Sequence, residues 1–259
     1  MVTPGEQTSV GAEPLPPLGS LARSRALWSA YGYEQSDPAR FYSLLARDSA
    51  RQVASYADLT GALLLDVGGG PGYFADAFRA LGAHYVGLDA DAGELSLHGR
   101  DVAAGTVLGS GLALPFRDGA VDVCYSSNVL EHVAQPVVMA DEMVRVTRPG
   151  GVVFLSYNNW LAPNGGHETA PWHYLGGHFA AERWARRHGQ RPKNDYGHSL
   201  FRTSVAQMLR WKDERVAAGV VEVVEVLPRY HPRWASWVVR VPALREVATW
   251  NLALVLRRR

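Results

Sequence analysis

A single thiol, Cys124, is all the cysteine in this 259-residue chain. One thiol cannot build an intrachain disulfide framework or a cysteine-based zinc site. Cys124 lies in an apolar segment and reads as a buried structural residue, a nucleophile being the alternative. Long apolar runs are missing too: none reaches the ~20 residues that cross a bilayer. No basic stretch precedes an apolar one near the start, since the first basic residue is Arg23, so neither an export signal nor an integral membrane segment is expected. A cytoplasmic location is expected from these absences. Charge of one sign is also lacking. Lys and Arg total 26 against 25 Asp and Glu, a net charge of +1, which argues against a nucleic-acid partner. The one basic cluster, Arg257-Arg258-Arg259, reads as a solvated tail, with a membrane contact as the alternative.

The composition that remains, 47% hydrophobic and 20% charged, is that of an ordinary soluble globular protein. The length suits one large α/β domain or two small ones. No internal repeat or composition break marks a second domain. Residues 1–20 hold four prolines and three glycines and read as a disordered leader, which leaves residues 21–259 as one domain.

The chain is organised around Leu63-Leu64-Leu65-Asp66-Val67-Gly68-Gly69-Gly70-Pro71-Gly72. An apolar strand ends in an acid, a glycine turn follows, and Ala75 to Leu81 reads as a helix. Such a turn needs unusual backbone angles and lets a ligand approach the main chain closely. A dinucleotide fingerprint would put glycines at positions 1, 3 and 6 of the turn. From Gly68 the sixth position is Tyr73, and from Gly69 the third is Pro71, so neither register fits and a nicotinamide oxidoreductase is disfavoured.

A second strand, His84 to Asp89, also ends in an acid. A carboxylate there can accept two hydrogen bonds from a ribose diol; the alternative is a surface acid capping the next helix, since Asp91 and Glu94 are close. A third strand ends near Gly109, and Ser110-Gly111-Leu112 follows. Ala120 to Ser126 is a fourth, nearly continuous apolar strand suited to the centre of a parallel sheet. At its carboxyl end, where open α/β sheets hold ligands, stand Ser126, Ser127, Asn128, Glu131 and His132. An imidazole at that place can take a proton from a hydroxyl. It can equally be a structural histidine bonded to a backbone carbonyl.

These motifs resemble class I S-adenosylmethionine (SAM) methyltransferases. Gly68, Gly70 and Gly72 two residues after Asp66, the Leu114-Pro115-Phe116 step, the run Ser126 to Val133 and the turn Arg145 to Gly151 carry the likeness. With Asp37 to Tyr42 and Pro228 to Trp234, the whole chain resembles a group of actinobacterial SAM-dependent methyltransferases. The resemblance implies a Rossmann-like, mostly parallel seven-stranded sheet with helices on both faces and an antiparallel last strand. It implies an enzyme with SAM as cofactor, held by Asp66 near its methionine end, by Gly68, Gly70, Gly72 and Asp89, and by Ser110, Gly111, Leu112 and Ser126. Ser110 stands where the family often has an adenine-binding Asp, so adenine recognition is expected to rest more on the backbone at Gly111 and Leu112. Tyr31, Tyr33 and Phe41 can cover the cofactor or pack in the core.

The acceptor is expected to be a small molecule, methylated on a hydroxyl, with His132 and Glu131 as the catalytic pair. Methylation at nitrogen or carbon, and a SAM-binding module without chemistry, are the alternatives. Some quinone-type relatives hold a divalent metal through a Glu followed three residues later by Glu-His. Asn128 replaces that first Glu, and no metal is expected. Residues 158–202 carry five histidines and three tryptophans and read as an acceptor lid, with His167 or His173 as a second base candidate. Oligomeric state stays open, a homodimer being one alternative.

Overall fold

The computed structural model describes residues 14–33, 36–91, 93 and 105–259. Seven strands form one sheet: β1 (Leu63–Val67), β2 (His84–Asp89), β3 (Thr106–Leu108), β4 (Val121–Ser127), β5 (Thr147–Asn158), β6 (Val221–Pro228) and β7 (Asn251–Arg258). Their order is β3-β2-β1-β4-β5-β7-β6. The β1, β2, β3, β4 and β5 pairings are parallel, and β7 runs antiparallel to both its neighbours. This is the expected α/β architecture. The order reverses between β1 and β4, which opens a crevice beyond their carboxyl ends.

Side-chain alternation divides the core between the two faces. Val153, Leu155 and Tyr157 of β5 and Leu252, Leu254 and Leu256 of β7 pack on one face. Helices α4 (Pro136–Val146) and α6 (Val205–Ala217) cover it through Met139, Met143, Met208 and Trp211. Phe154, Ala253 and Val255 point to the other face. There α2 (Pro38–Ala54) and α3 (Ala75–Arg79) bring Phe41, Leu45, Val53 and Phe78, and α1 (Leu21–Tyr31) adds Leu27. Phe41 is thus a core residue. Asp37 caps α2 by accepting from the Arg40 N–H, with Pro38 in the first turn, and Ser204 caps α6 through the Gln207 N–H. Cys124 is fully buried, and burial pushes its thiol up, as a structural thiol requires.

Two expectations meet a different outcome. The arginines at the end are largely part of the sheet: Arg257 and Arg258 belong to β7, and Arg258 donates to the carbonyl of Arg145 at 2.6 Å. Arg257 and Arg259 both stand near Glu222 on β6. A tail read from charge alone is the end of an inner strand, paired with β5 on one side and β6 on the other. Of the expected leader, residues 1–13 lie outside the described residues. Residues 14–20 are attached: the Leu15 carbonyl accepts from Arg51, the Gly19 carbonyl accepts from the Arg233 N–H, and Ser20 caps α1. Among the described residues no helix is long and apolar enough to cross a membrane.

Candidate functional site

The glycine turn is pinned from below. The N–H groups of Gly68 and Gly69 both donate to the Leu88 carbonyl on β2, at 2.7 and 3.2 Å. Gly68, Gly70 and Gly72 have φ of +80°, +49° and +77°, the left-handed region that glycine adopts without strain. A Cβ on Gly68 would lie 2.4 Å from Val129 Cγ2, whereas one on Gly70 would meet nothing within 4 Å. The turn therefore packs tightly at Gly68 and opens at Gly70. Phe74 and Tyr73 back it, and Tyr42 of α2 stacks on Tyr73 with ring centroids 4.7 Å apart.

Two carboxylates flank this opening. Asp89 accepts from the N–H of Gly70 at 2.9 Å and of Asp91 at 3.0 Å. A carboxylate offers about four lone-pair sites, so two remain for a diol. The companion acid Glu94 lies outside the described residues. Asp66 is buried, and its Oδ2 accepts from the Tyr85 hydroxyl at 2.7 Å. Burial, against the pull of that bond and with the help of Asp89, raises its carboxyl to about 7. Beyond β3, the exposed Ser110 accepts from the Leu112 N–H at 3.1 Å. Gly111 leaves room for Met139 and Val67, either of which a Cβ would approach to 3.3 Å.

Ser126 is placed differently from expectation. It is fully buried and donates to the Val67 carbonyl at 2.8 Å. Its hydroxyl ties β4 to the end of β1 and is taken up by that bond.

Past β4 the chain bends through Asn128, whose φ is +57°. Asn251 donates to its Oδ1 at 2.7 Å, and the Tyr230 hydroxyl lies 3.3 Å from its Nδ2. Val129 then carries the chain from beneath Gly68 into a 3₁₀ turn, Leu130–His132. Glu131 is buried. Its Oε1 accepts from the Asn158 N–H at 3.1 Å, while Oε2 has no hydrogen-bond partner. Burial raises its carboxyl above the usual range. His132 Nδ1 lies 2.7 Å from the Ser199 carbonyl oxygen. A carbonyl only accepts, so Nδ1 is the donor of this bond and Nε2 is the nitrogen left to accept.

Residues 158–202 close over this turn. The Phe201 N–H donates to the Glu131 carbonyl at 2.7 Å. A 3₁₀ turn, His167–Thr169, brings the His167 ring to 5.1 Å from that of His132. Burial foremost, and His132 beside it, lower His167 to about 4, so its ring is neutral at pH 7. His173 has a different place: it is buried with Nε2 3.2 Å from the Ala162 carbonyl and packs against Trp160. Of the two histidines of this segment singled out in the sequence, His167 joins His132 and His173 does not.

Sequence reading missed Val129, Tyr85 and Arg229. Arg229 is fully buried and donates to the hydroxyls of Ser127, Ser156 and Ser49 at 2.6–2.7 Å, fixing the end of β4 from behind. Nothing in local spacing marks these residues, since each acts across the fold.

A methyltransferase-domain family model matches residues 65–155. A protein of Mycolicibacterium gilvum described as an uncharacterized methyltransferase is 53% identical over 252 residues, covering 92% of this chain and 95% of that one. A Mycobacterium marinum protein with the same description is 52% identical, covering 92% and 94%. Among solved structures, a SAM-dependent methyltransferase from Mesorhizobium loti matches with a TM-score of 0.54 at 20% identity, over 82% of this chain and 96% of that one. The mycobacterial relatives establish that the chain belongs to the methyltransferases, and the sheet has the fold of the solved SAM-dependent enzyme.

Proposed function

We propose that this enzyme methylates a hydroxyl of a small-molecule acceptor held between the carboxyl end of β4 and the lid of residues 158–202. The carrying observation is His132: the Ser199 carbonyl fixes its tautomer and leaves Nε2 as a proton acceptor. The cofactor fits the residues present. Gly70 faces open space, Asp66 offers a buried carboxyl, Asp89 has unused lone pairs, and Gly68, Gly72, Ser110, Gly111 and Leu112 supply backbone or hydroxyl groups around the opening. When bound, SAM supplies an electrophilic methyl group on a sulfonium. Asn128, held by Asn251 and Tyr230, and the lid would orient the acceptor, and His132 Nε2 would take the hydroxyl proton as the oxygen–carbon bond forms and the methyl's bond to sulfur breaks, with SAH as the leaving group. Positioning of this kind supplies much of the rate. The lone buried Cys124 suits a reducing cytoplasm.

His132→Ala should lower acceptor-dependent formation of S-adenosylhomocysteine (SAH) by about 100-fold or more, the usual worth of a general base. SAH affinity, measured by calorimetry, should stay within about threefold, because Asp66 and Asp89 are untouched. The assay runs phenolic and aliphatic alcohols as acceptors. Full turnover in the variant would remove His132 from the chemistry.

SAH affinity should fall as pH drops below 7. Asp66 is raised to about 7, so below that pH its carboxyl is largely protonated and must lose a proton to face the ammonium of the ligand. Calorimetry in two buffers of different ionisation enthalpy should show nearly one proton released per site at pH 6 and nearly none at pH 8. Asp66→Asn should flatten that dependence. The same shift acts oppositely on the free protein: a carboxyl raised above its unfolded value of about 4 makes unfolding easier as pH rises from about 4 to 7.

A further inference from the structure

Where the lid meets the Leu130–His132 turn, three side chains converge with more unmet valence than methyl transfer explains. A carboxylate oxygen of Glu131 and one ring nitrogen each from His132 and His167 all lie within 4.8 Å of one another. Glu131 Oε2 and His167 Nε2 are both buried without a hydrogen-bond partner. An unsatisfied buried polar group costs about 1–3 kcal/mol. Two such groups within one three-residue cluster point to a shared partner that is not part of the chain. One proton shared between Glu131 and His167 would satisfy two of the three groups; a cation satisfies all three.

We propose that Glu131, His132 and His167 bind one divalent transition-metal cation with the chemistry of zinc or cobalt. Two imidazoles and one carboxylate suit such ions better than magnesium or calcium, which prefer oxygen ligands throughout. His132 is prepared for this role. Its Nδ1–H is committed to the Ser199 carbonyl, the outer-sphere bond that metal-binding histidines make, and it leaves Nε2 to ligate. His167 is presented from a backbone at φ +48°, a conformation that non-glycine residues adopt sparingly and that clusters at ligand sites. The Glu168 carboxylate behind it accepts two 2.8 Å bonds from Asn194, which fix the turn. Ligand bonds of about 2.0–2.1 Å require the 4.8 Å span to contract by about 1–1.5 Å, within the reach of side-chain rotation. Three protein ligands leave a fourth position open.

The binding stands on these residues alone; its meaning for catalysis rests on the proposed hydroxyl acceptor. A cation takes the Nε2 lone pair that His132 would otherwise offer as a base. The acceptor hydroxyl then coordinates at the open position, and its lowered pKa lets the proton leave to solvent as the methyl arrives. The metal-free and metal-loaded proteins therefore activate the acceptor by different groups.

The test titrates the full chain, stripped with a chelator, with Co²⁺ followed by visible absorption and with Zn²⁺ followed by calorimetry. One equivalent should bind, with the Co²⁺ bands of a four- or five-coordinate site. His167→Ala and His132→Ala should each weaken binding by at least the 10–100-fold that loss of even an outer partner costs. His178→Ala, elsewhere in the lid, should leave it unchanged. SAH binding by the same samples shows that each variant is folded. Absent stoichiometric Co²⁺ binding, or binding indifferent to His167→Ala, overturns the metal site. Intact SAH binding in that case leaves the methyltransferase site standing. Stoichiometric Co²⁺ binding in a protein that methylates no hydroxyl supports the metal site and overturns the acceptor reading alone.

Discussion

Gly68→Ala should destabilise the protein by about 2–5 kcal/mol and weaken SAH binding by about 100-fold or more. Two costs combine. Gly68 sits at φ +80°, where an L side chain costs roughly 1–2 kcal/mol. The new Cβ would also lie 2.4 Å from Val129 Cγ2 and 2.7 Å from Cγ1. Either the glycine turn or the chain after β4 must move, and overpacking of this kind costs about 1–3 kcal/mol. The glycine turn, our proposed cofactor cradle, stands on one side of that contact and Glu131 and His132 on the other, so the displacement reaches both. Val129→Ala in the same chain should return the steric share and leave the backbone share. Gly70→Ala is the contrasting case. Its φ is +49° and a Cβ meets nothing within 4 Å, so stability should fall by only about 1–2 kcal/mol while the methyl group intrudes on the space proposed for the cofactor. Urea unfolding and SAH calorimetry on the four proteins separate the terms. Wild-type stability together with unchanged SAH affinity in Gly68→Ala would show that the turn is not built as described.

Much of this arrangement was legible from local pattern. The strands read from apolar runs that end in Asp66, Asp89 and Ser126, and the glycine spacing at 68, 70 and 72 fits no dinucleotide turn. Topology alone then put Glu131 and His132 at the end of β4. The lid histidines were visible as a concentration, but not which one would reach the site, because His167 and His173 differ only in how residues 159–177 coil. Gly166 and Gly177 decide that coil: a Cβ on either would collide with His173 or with Tyr196, at 2.5 and 2.1 Å. Ser126 shows the opposite limit. Its residue type suited a ligand contact, yet its hydroxyl is taken up by the Val67 carbonyl. Tyr85 was hidden for a related reason, since a tyrosine in an apolar strand reads as core until the carboxyl of Asp66 is seen 2.7 Å from its hydroxyl. Arg229 lies just after β6 and is buried in the interior, where only three distant serines could have announced it.

Asp48→Asn should cost about 3–5 kcal/mol, the range for removing one member of a buried ion pair. Asp48 receives two bonds from Arg23, at 2.8 and 2.6 Å, and both side chains are at most 3% exposed. Arg51 approaches the same carboxylate at 3.2 Å. Arg23 also donates to the backbone carbonyl of Arg229 at 2.8 Å. The Arg229 guanidinium itself bonds only to hydroxyls. Asp48 is therefore the negative charge around which these buried cations are arranged, and an amide there leaves Arg23 and Arg229 unbalanced in a region that salt cannot screen. The loss should reach the site as well. Arg23 anchors α1, Asp48 anchors α2, and Arg229 holds Ser127 next to Asn128, so slackening the cluster loosens the helices beside the cofactor cradle and the end of β4 together. Arg23→Met with Asp48→Leu removes both charges and should recover much of the lost stability, because the desolvation cost disappears with the attraction. If the single substitution costs under 1 kcal/mol by urea unfolding, the cluster is not balanced by Asp48. If the double substitution is as damaging as the single one, the pair's value lies in its hydrogen-bond geometry and not in its charge.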